Sequence, residues 1–183
     1  SSPATEAFNA KNYQEAKALF NQSSSTAESQ YYLGRIALTE KNLDQAEQHL
    51  EKAVSANPEN SDYHYWFAIM SSRQASSASF LFAPGYASDA LEHFKKAVSI
   101  SPDSISAMKG LINFYINAPS IAGGSHEKAH AVIDKLYAAD KKQGLISRLK
   151  AYRSEENTSK EKQIAERLAS EFLQSAEAQF QSA

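Results

Sequence analysis

The chain contains no cysteine, and its 183 residues include only 6 glycines, 5 prolines, 2 methionines and 1 tryptophan. Without thiols there can be no disulfide, thiolate nucleophile or thiolate zinc site, although the compartment stays open. No apolar run approaches the roughly 18 residues a membrane span needs, so membrane insertion is not expected. Charge of one sign is lacking too: 19 Lys and Arg stand against 21 Asp and Glu, a net −2. Divided after residues 60, 104 and 144, the segments carry −3, −1, +2 and 0. None has the basic concentration that phosphate neutralisation demands, so no nucleic-acid partner is expected. What the chain has in abundance is alanine, 30 residues, within a 42% apolar content. Alanine loses least on entering a helix, and helix breakers are scarce, so the expectation is all-α. The start Ser1-Ser2-Pro3-Ala4 has no Met. It fits a mature end after signal-peptide removal or an engineered boundary, and export to a bacterial periplasm is expected over a cytoplasmic location.

Residues 27–60 read AESQYYLGRIALTEKNLDQAEQHLEKAVSANPEN. Gly34 and Ala37 are small enough for two helices to approach closely, while Leu33, Leu50 and Ala53 supply apolar surface at helical spacing. Ser25 with Glu28, and Asp44 with Glu47, have the spacing of capping boxes, and Pro58 ends the second helix. Leu33, Gly34, Ala37, Ala46, Leu50, Ala53 and Pro58 together resemble the signature of the tetratricopeptide repeat family, and a bacterial member is expected. A second copy, 61–104, has Phe67, Ala68, Ala90, Phe94, Ala97 and Pro102, with about ten extra residues around Gln74 to Tyr86. A third, 105–144, has Leu111, Tyr115, Ala129, Ile133 and Leu136, with an insertion in NAPSIAGGS and Lys141 where the exit proline belongs. Degenerate copies flank these. Residues 1–26 use Asn12 with Glu15 as a cap. Residues 145–183 pair Leu149 and Tyr152 with Ala165, Ala169 and Phe172, cap at Thr158 with Glu161, and end in a short helix from Ser175 to Gln181. The resemblance implies one domain over 1–183, a right-handed superhelical stack (α-solenoid) of about ten helices, each unit buried against its neighbours.

In that family the first helices of the repeats line a groove for a polypeptide, at repeat positions 2, 5, 9 and 12. Carried over, the lining is Glu28, Tyr31, Arg35 and Leu38, then Asp62, Tyr65, Ile69 and Ser72, then Ser106, Lys109, Asn113 and Ile116. The plainer reading makes this the less buried side of amphipathic helices, with Tyr31 and Tyr65 packed on each other. The carboxylate clamp of the family's chaperone-tail receptors is not expected, because only Arg35 has a suitable side chain among the matching places. The segment QASSASFLFAPGY sets Phe80, Leu81 and Phe82 in a polar connection. The favoured expectation is that the helices lengthen by a turn and tuck these residues onto the next copy; the alternative is an exposed contact edge.

One enzyme-like pattern is present. His126-Glu127-Lys128-Ala129-His130 fits HExxH, where two histidines one turn apart hold zinc and the glutamate acts as base. Against it, Gly123-Gly124-Ser125 puts the pattern at the start of a helix, Lys128 sets a positive charge beside the metal, and Ala129 is already the repeat's packing residue. No metal or cofactor is expected. The expected function is a non-catalytic module that binds another protein or peptide. The alternatives are a self-associating homo-oligomeric scaffold and, remotely, a zinc hydrolase.

Overall fold

The computed structural model describes residues 1–181, with side chains described through residue 171. Among the described residues there are ten α-helices, one 3-10 turn and no strand. Two compact units divide the chain, Ser1–Pro102 and Asp103–Ala183.

The first unit holds α1 (Pro3–Asn9), α2 (Tyr13–Asn21), α3 (Ala27–Thr39), α4 (Leu43–Ala56), α5 (Ser61–Ser77) and α6 (Ala83–Ile100). They pack as successive hairpins, α1 on α2, α3 on α4 and α5 on α6. The middle pair shows why these residues were selected. A Cβ at Gly34 would lie 2.6 Å from Leu50 Cγ, so α3 and α4 close to a distance only glycine permits. Ala46, Leu50 and Ala53 are fully buried along the facing stripe of α4, and burying one leucine side chain stabilises by about 1.5–3 kcal/mol. Helix α3 serves two cores at once. Leu33 and Ile36 join Phe8, Ala16 and Phe20, while Tyr31, Ala37 and Leu38 join Leu50, Tyr63 and Met70.

The turns differ in detail from the sequence expectation. Thr26, not Ser25, caps α3 by accepting from Ser29 N–H. Asn42, not Asp44, caps α4 by accepting from Gln45 N–H. Asn157, not Thr158, accepts from Lys160 N–H. Asn12 does cap α2, but its side chain makes no cap hydrogen bond. The asparagines occupy these places because the preceding residue is left-handed: Lys11, Lys41 and Glu156 have φ of 62°, 59° and 57°. In each case the asparagine N–H reaches back to the carbonyl of Ala7, Ala37 or Tyr152, and the left-handed residue's N–H to Phe8, Leu38 or Arg153. This pair of bonds is the Schellman motif, which satisfies the last carbonyls of the helix. It recurs in the three hairpins without insertions.

Where residues are inserted, the helices grow. Helices α5 and α6 run 17 and 18 residues, against 13 and 14 for α3 and α4. The lengthening agrees with the favoured expectation for 74–86, but the tucking does not. Phe80, Leu81 and Phe82 are 84%, 70% and 66% exposed, because they lie in the turn between the two helices rather than on a packed face.

The second unit holds α7 (Ile105–Asn117), α8 (His126–Ala139), α9 (Lys141–Ser154) and α10 (Thr158–Gln181), with a 3-10 turn at Ser120–Ala122 after α7. Met108, Leu111, Ile112, Ile133, Leu136, Leu145 and Ala151 are among its buried residues. No exit proline is needed after α8. Asp140 alone forms the turn, ending α8 and capping α9 by accepting from Gln143 N–H. Helix α9 therefore begins at Lys141, four residues before the expected boundary at 145. Thr158 to Gln181 is one helix, where two were expected; no Gly or Pro interrupts it. The expected packing of Phe172 lies outside the described side chains.

Candidate functional site

The groove expectation places Tyr31 and Arg35 on α3, and there the structure gathers an aromatic cluster from three first helices of the first unit. Phe8 comes from α1, Tyr31, Tyr32 and Arg35 from α3, and Trp66 from α5. The guanidinium carbon of Arg35 lies 4.7 Å from the Phe8 ring centroid, 4.2 Å from Trp66, 5.3 Å from Tyr31 and 5.9 Å from Tyr32. The rings also touch one another: Phe8 with Tyr32 at 4.9 Å, Tyr31 with Tyr32 at 4.9 Å and Tyr31 with Tyr63 at 4.9 Å. Tyr31 thus packs on Tyr63, not on Tyr65 as the plainer sequence reading had it. Tyr65 instead meets Trp66 and Phe94.

Electrostatics follow from this burial. Arg35 Nη1 donates to Tyr31 Oη at 3.0 Å. Burial pushes the Tyr31 phenol up to about 12, against the opposing pull of Arg35. Tyr65 is likewise raised by burial, with Arg35 again opposing.

Among the remaining lining residues, Glu28 and Asp62 are exposed and Tyr65, Ile69 and Ser72 half-buried. Leu38 leaves the set, at 2% exposure, because it packs into the core shared by α3, α4 and α5. In the second unit, α7 presents Ser106 and Asn113 exposed and Lys109 and Ile116 half-buried. Sequence reasoning missed Phe8, which belongs to a copy too degenerate for its register to be read. It also missed Trp66 as a partner of Arg35, since Trp66 lies one residue off the lining positions.

The HExxH residues are engaged elsewhere. His126 Nε2 lies 3.0 Å from Ser154 Oγ. His130 Nε2 lies 2.9 Å from Glu155 Oε1, and Arg148 Nη1 2.8 Å from His130 Nδ1. Ala129, between them, is fully buried. Among the described residues no group of three His, Asp or Glu could hold a metal, and no helix is long and apolar enough to cross a membrane.

Comparison with known proteins agrees with this architecture. A model of the tetratricopeptide repeat family matches residues 27–60. No curated protein matches the sequence. Among solved structures the chain is similar to TTC0263, a thermophilic TPR protein of Thermus thermophilus, with a TM-score of 0.63 and 18% identity over 93% of this chain and 95% of that one. It is similar to YrrB, described as a TPR protein with an unusual peptide-binding site, with a TM-score of 0.65 and 18% identity over 90% of this chain and 80% of that one. MamA gives a TM-score of 0.70 and 13% identity over 95% of this chain and 90% of that one. Tetratricopeptide repeats generally serve as interaction modules, so the repeat at 27–60 supports a role in protein–protein interaction. Residues 27–60 are a tetratricopeptide repeat, carried in a chain with the all-α fold of tetratricopeptide-repeat solenoids.

Proposed function

We propose that the protein binds a segment of another polypeptide on the face of the first unit lined by α1, α3 and α5. The observation that carries this reading is Arg35, half-buried on rings that three separate helices contribute, of which Tyr32 and Trp66 are themselves half-buried while Phe8 and Tyr31 belong to the core. Tyrosine and tryptophan offer large contact area for little lost rotamer freedom, and each keeps a polar handle. Glu28, Asp62, Tyr65 and Ile69 extend the surface, and Lys109, Asn113 and Ile116 are the equivalent residues of α7. The likeness to YrrB, a protein with a peptide-binding site, is in keeping with this reading. The test is recovery of partners from native extract by wild type and by a Tyr65→Ala, Ile69→Ala variant. Tyr31 is avoided because its burial makes it part of the core. Partner recovery is expected to fall for the variant at unchanged secondary structure, and equal recovery would discard the groove.

Exposure of Phe80, Leu81 and Phe82 favours a second reading, self-association through that edge. Light scattering separates the two. A mass that rises with concentration in wild type and not in Phe80→Ser, Phe82→Ser would support self-association, and a concentration-independent monomer would end it.

A further inference from the structure

Phe80, Leu81 and Phe82 form the tip of the hairpin made by α5 and α6. Each of these helices is four residues longer than its counterpart, α3 or α4, and the extra length lies at the end next to this turn. At 1.5 Å per residue the tip stands about 6 Å further out than in a hairpin without the insertion. All three side chains are open to solvent. Consecutive residues of a turn point in different directions, so the tip is apolar on more than one side.

Much of the polar backbone here is satisfied within the turn. The Ser79 carbonyl accepts from the Phe82 and Ala83 N–H groups, and the Phe82 carbonyl accepts from those of Gly85 and Tyr86. Pro84 has no N–H to leave over. The first turn of α6 thus needs no side-chain cap. Its N-cap is Phe82, where α1 to α5 and α7 to α9 have Ser, Thr, Asn or Asp. At the end of α5, Ser76 Oγ donates to the Ser72 carbonyl and Ser77 Oγ to that of Arg73. No charged residue stands between Arg73 and Asp89 in the chain.

We infer that this tip enters the interfacial layer of a lipid membrane, as an apolar anchor that lies in the surface without spanning it. A helix start kept in water takes a polar cap. In lipid the backbone has to be satisfied internally, which is how α6 begins. A second copy of this chain is the competing occupant, and it fits less well. Two phenylalanines and a leucine offer at most about 600 Å², short of the roughly 800 Å² per partner of a stable interface. A rigid partner would also need a pocket enclosing the tip, whereas a fluid needs none. The flanking charges, Arg73 and Asp89, are one of each sign, so anionic headgroups meet no basic cluster. Attachment then follows the buried apolar area. The inference goes beyond the groove reading and does not rest on it.

The test is flotation of the whole chain with phosphatidylcholine vesicles. Wild type is expected to float with them, to the same extent at low and high salt and when part of the lipid is replaced by phosphatidylserine. Phe80→Ser, Phe82→Ser should lower the bound fraction about tenfold at an unchanged melting temperature, since both rings are exposed, and Phe80→Leu, Phe82→Leu should keep most of it. Because the chain has no cysteine, Leu81→Cys carries an environment-sensitive fluorophore at one site. Its emission should shift to the blue with vesicles, and that of the same label on Glu51→Cys, exposed on α4, should not. Wild type that stays with the soluble fraction would overturn the inference. So would flotation that survives the double serine variant, which places the contact elsewhere, or flotation that requires phosphatidylserine and is lost in salt, which makes it a charge effect. Failure to float, joined to a mass that rises with concentration in wild type and not in the double serine variant, would give the tip to a second copy instead.

Discussion

His64 Nδ1 and His93 Nδ1 lie 2.8 Å apart, so one nitrogen must carry the proton and the other a lone pair. Which is which follows from the far side of His64. Its Nε2 lies 2.7 Å from the Pro58 carbonyl oxygen, which can only accept. Neutral His64 therefore donates through Nε2 and accepts through Nδ1, and His93 donates to it. The two rings stack at 5.1 Å, with Phe67 4.1 Å from His93, tying the turn before α5 to α6.

The pair gives stability a pH dependence. Burial, then His64, holds His93 below the usual imidazole range, with Glu92 and Asp89 opposing. His49 is also lowered, by burial and then by Lys52 and Lys17. In the unfolded chain these imidazoles titrate near 6.5. Below that value the unfolded chain takes up protons that the folded one resists, so the contribution is complete at neutral pH and is lost as pH falls. The melting temperature, followed by circular dichroism, should be level from about pH 8 to 7 and decline towards pH 5. His93→Gln should flatten the decline. An equal slope in variant and wild type would show that the pair is not its source.

Gly34 and Leu50 supply a second test, of close packing. Gly34→Ala pushes a methyl into Leu50, an overpacking that costs about 1–3 kcal/mol. Leu50→Ala empties a fully buried site and costs about 2–5 kcal/mol. The double variant should be more stable than the sum of the single losses allows, because the new methyl enters the space that the leucine vacates. Urea denaturation of the four proteins measures the coupling, and strict additivity would mean that the two side chains do not share that space.

Much of this was legible in the sequence for a physical reason. Gly34, Ala37, Ala46, Leu50 and Ala53 are dictated by the distance between two helices, and such positions recur with the repeat. Residues that answer to single contacts were not legible. Arg35 could be placed on the lining face, but nothing in a 34-residue register says that Phe8 and Trp66 meet it. His64 and His93 stand where Gln30 and His49 stand one copy earlier, a pair that also meets, at 2.7 Å. The register of small and apolar residues does not say which polar groups share such a place. The exposure of Phe80 to Phe82 opposes the general preference for burying large apolar groups, and no local pattern marks such an exception.

Lys41 tests the turn chemistry. Its φ of 59° puts a residue with a Cβ in the left-handed region, at a cost of about 1–2 kcal/mol. Glycine removes that cost but adds freedom to the unfolded chain. Lys41→Gly should therefore stabilise by about 0.5–1 kcal/mol in chemical denaturation, and Lys41→Val should destabilise, since a β-branched side chain tolerates this region least. If Lys41→Val proved as stable as wild type, the hairpin would not depend on the left-handed turn.

The last prediction concerns His126 and His130, whose spacing fits a zinc site. Arg148 sits against Nδ1 of His130 and has no acceptor to offer, so Nδ1 carries the lone pair and Nε2 carries the proton that goes to Glu155 Oε1. The nitrogen a metal would need is occupied, and a guanidinium stands where the dication would have to be. Arg148 also pairs with Asp134, so withdrawing it to admit zinc would break both contacts. Protein dialysed against excess zinc and then desalted should therefore carry far less than one equivalent by elemental analysis. It should melt at the same temperature with and without the metal. One equivalent of zinc, lost in both His126→Ala and His130→Ala, would show that this helix start exchanges its hydrogen bonds for a metal and would return hydrolysis to consideration.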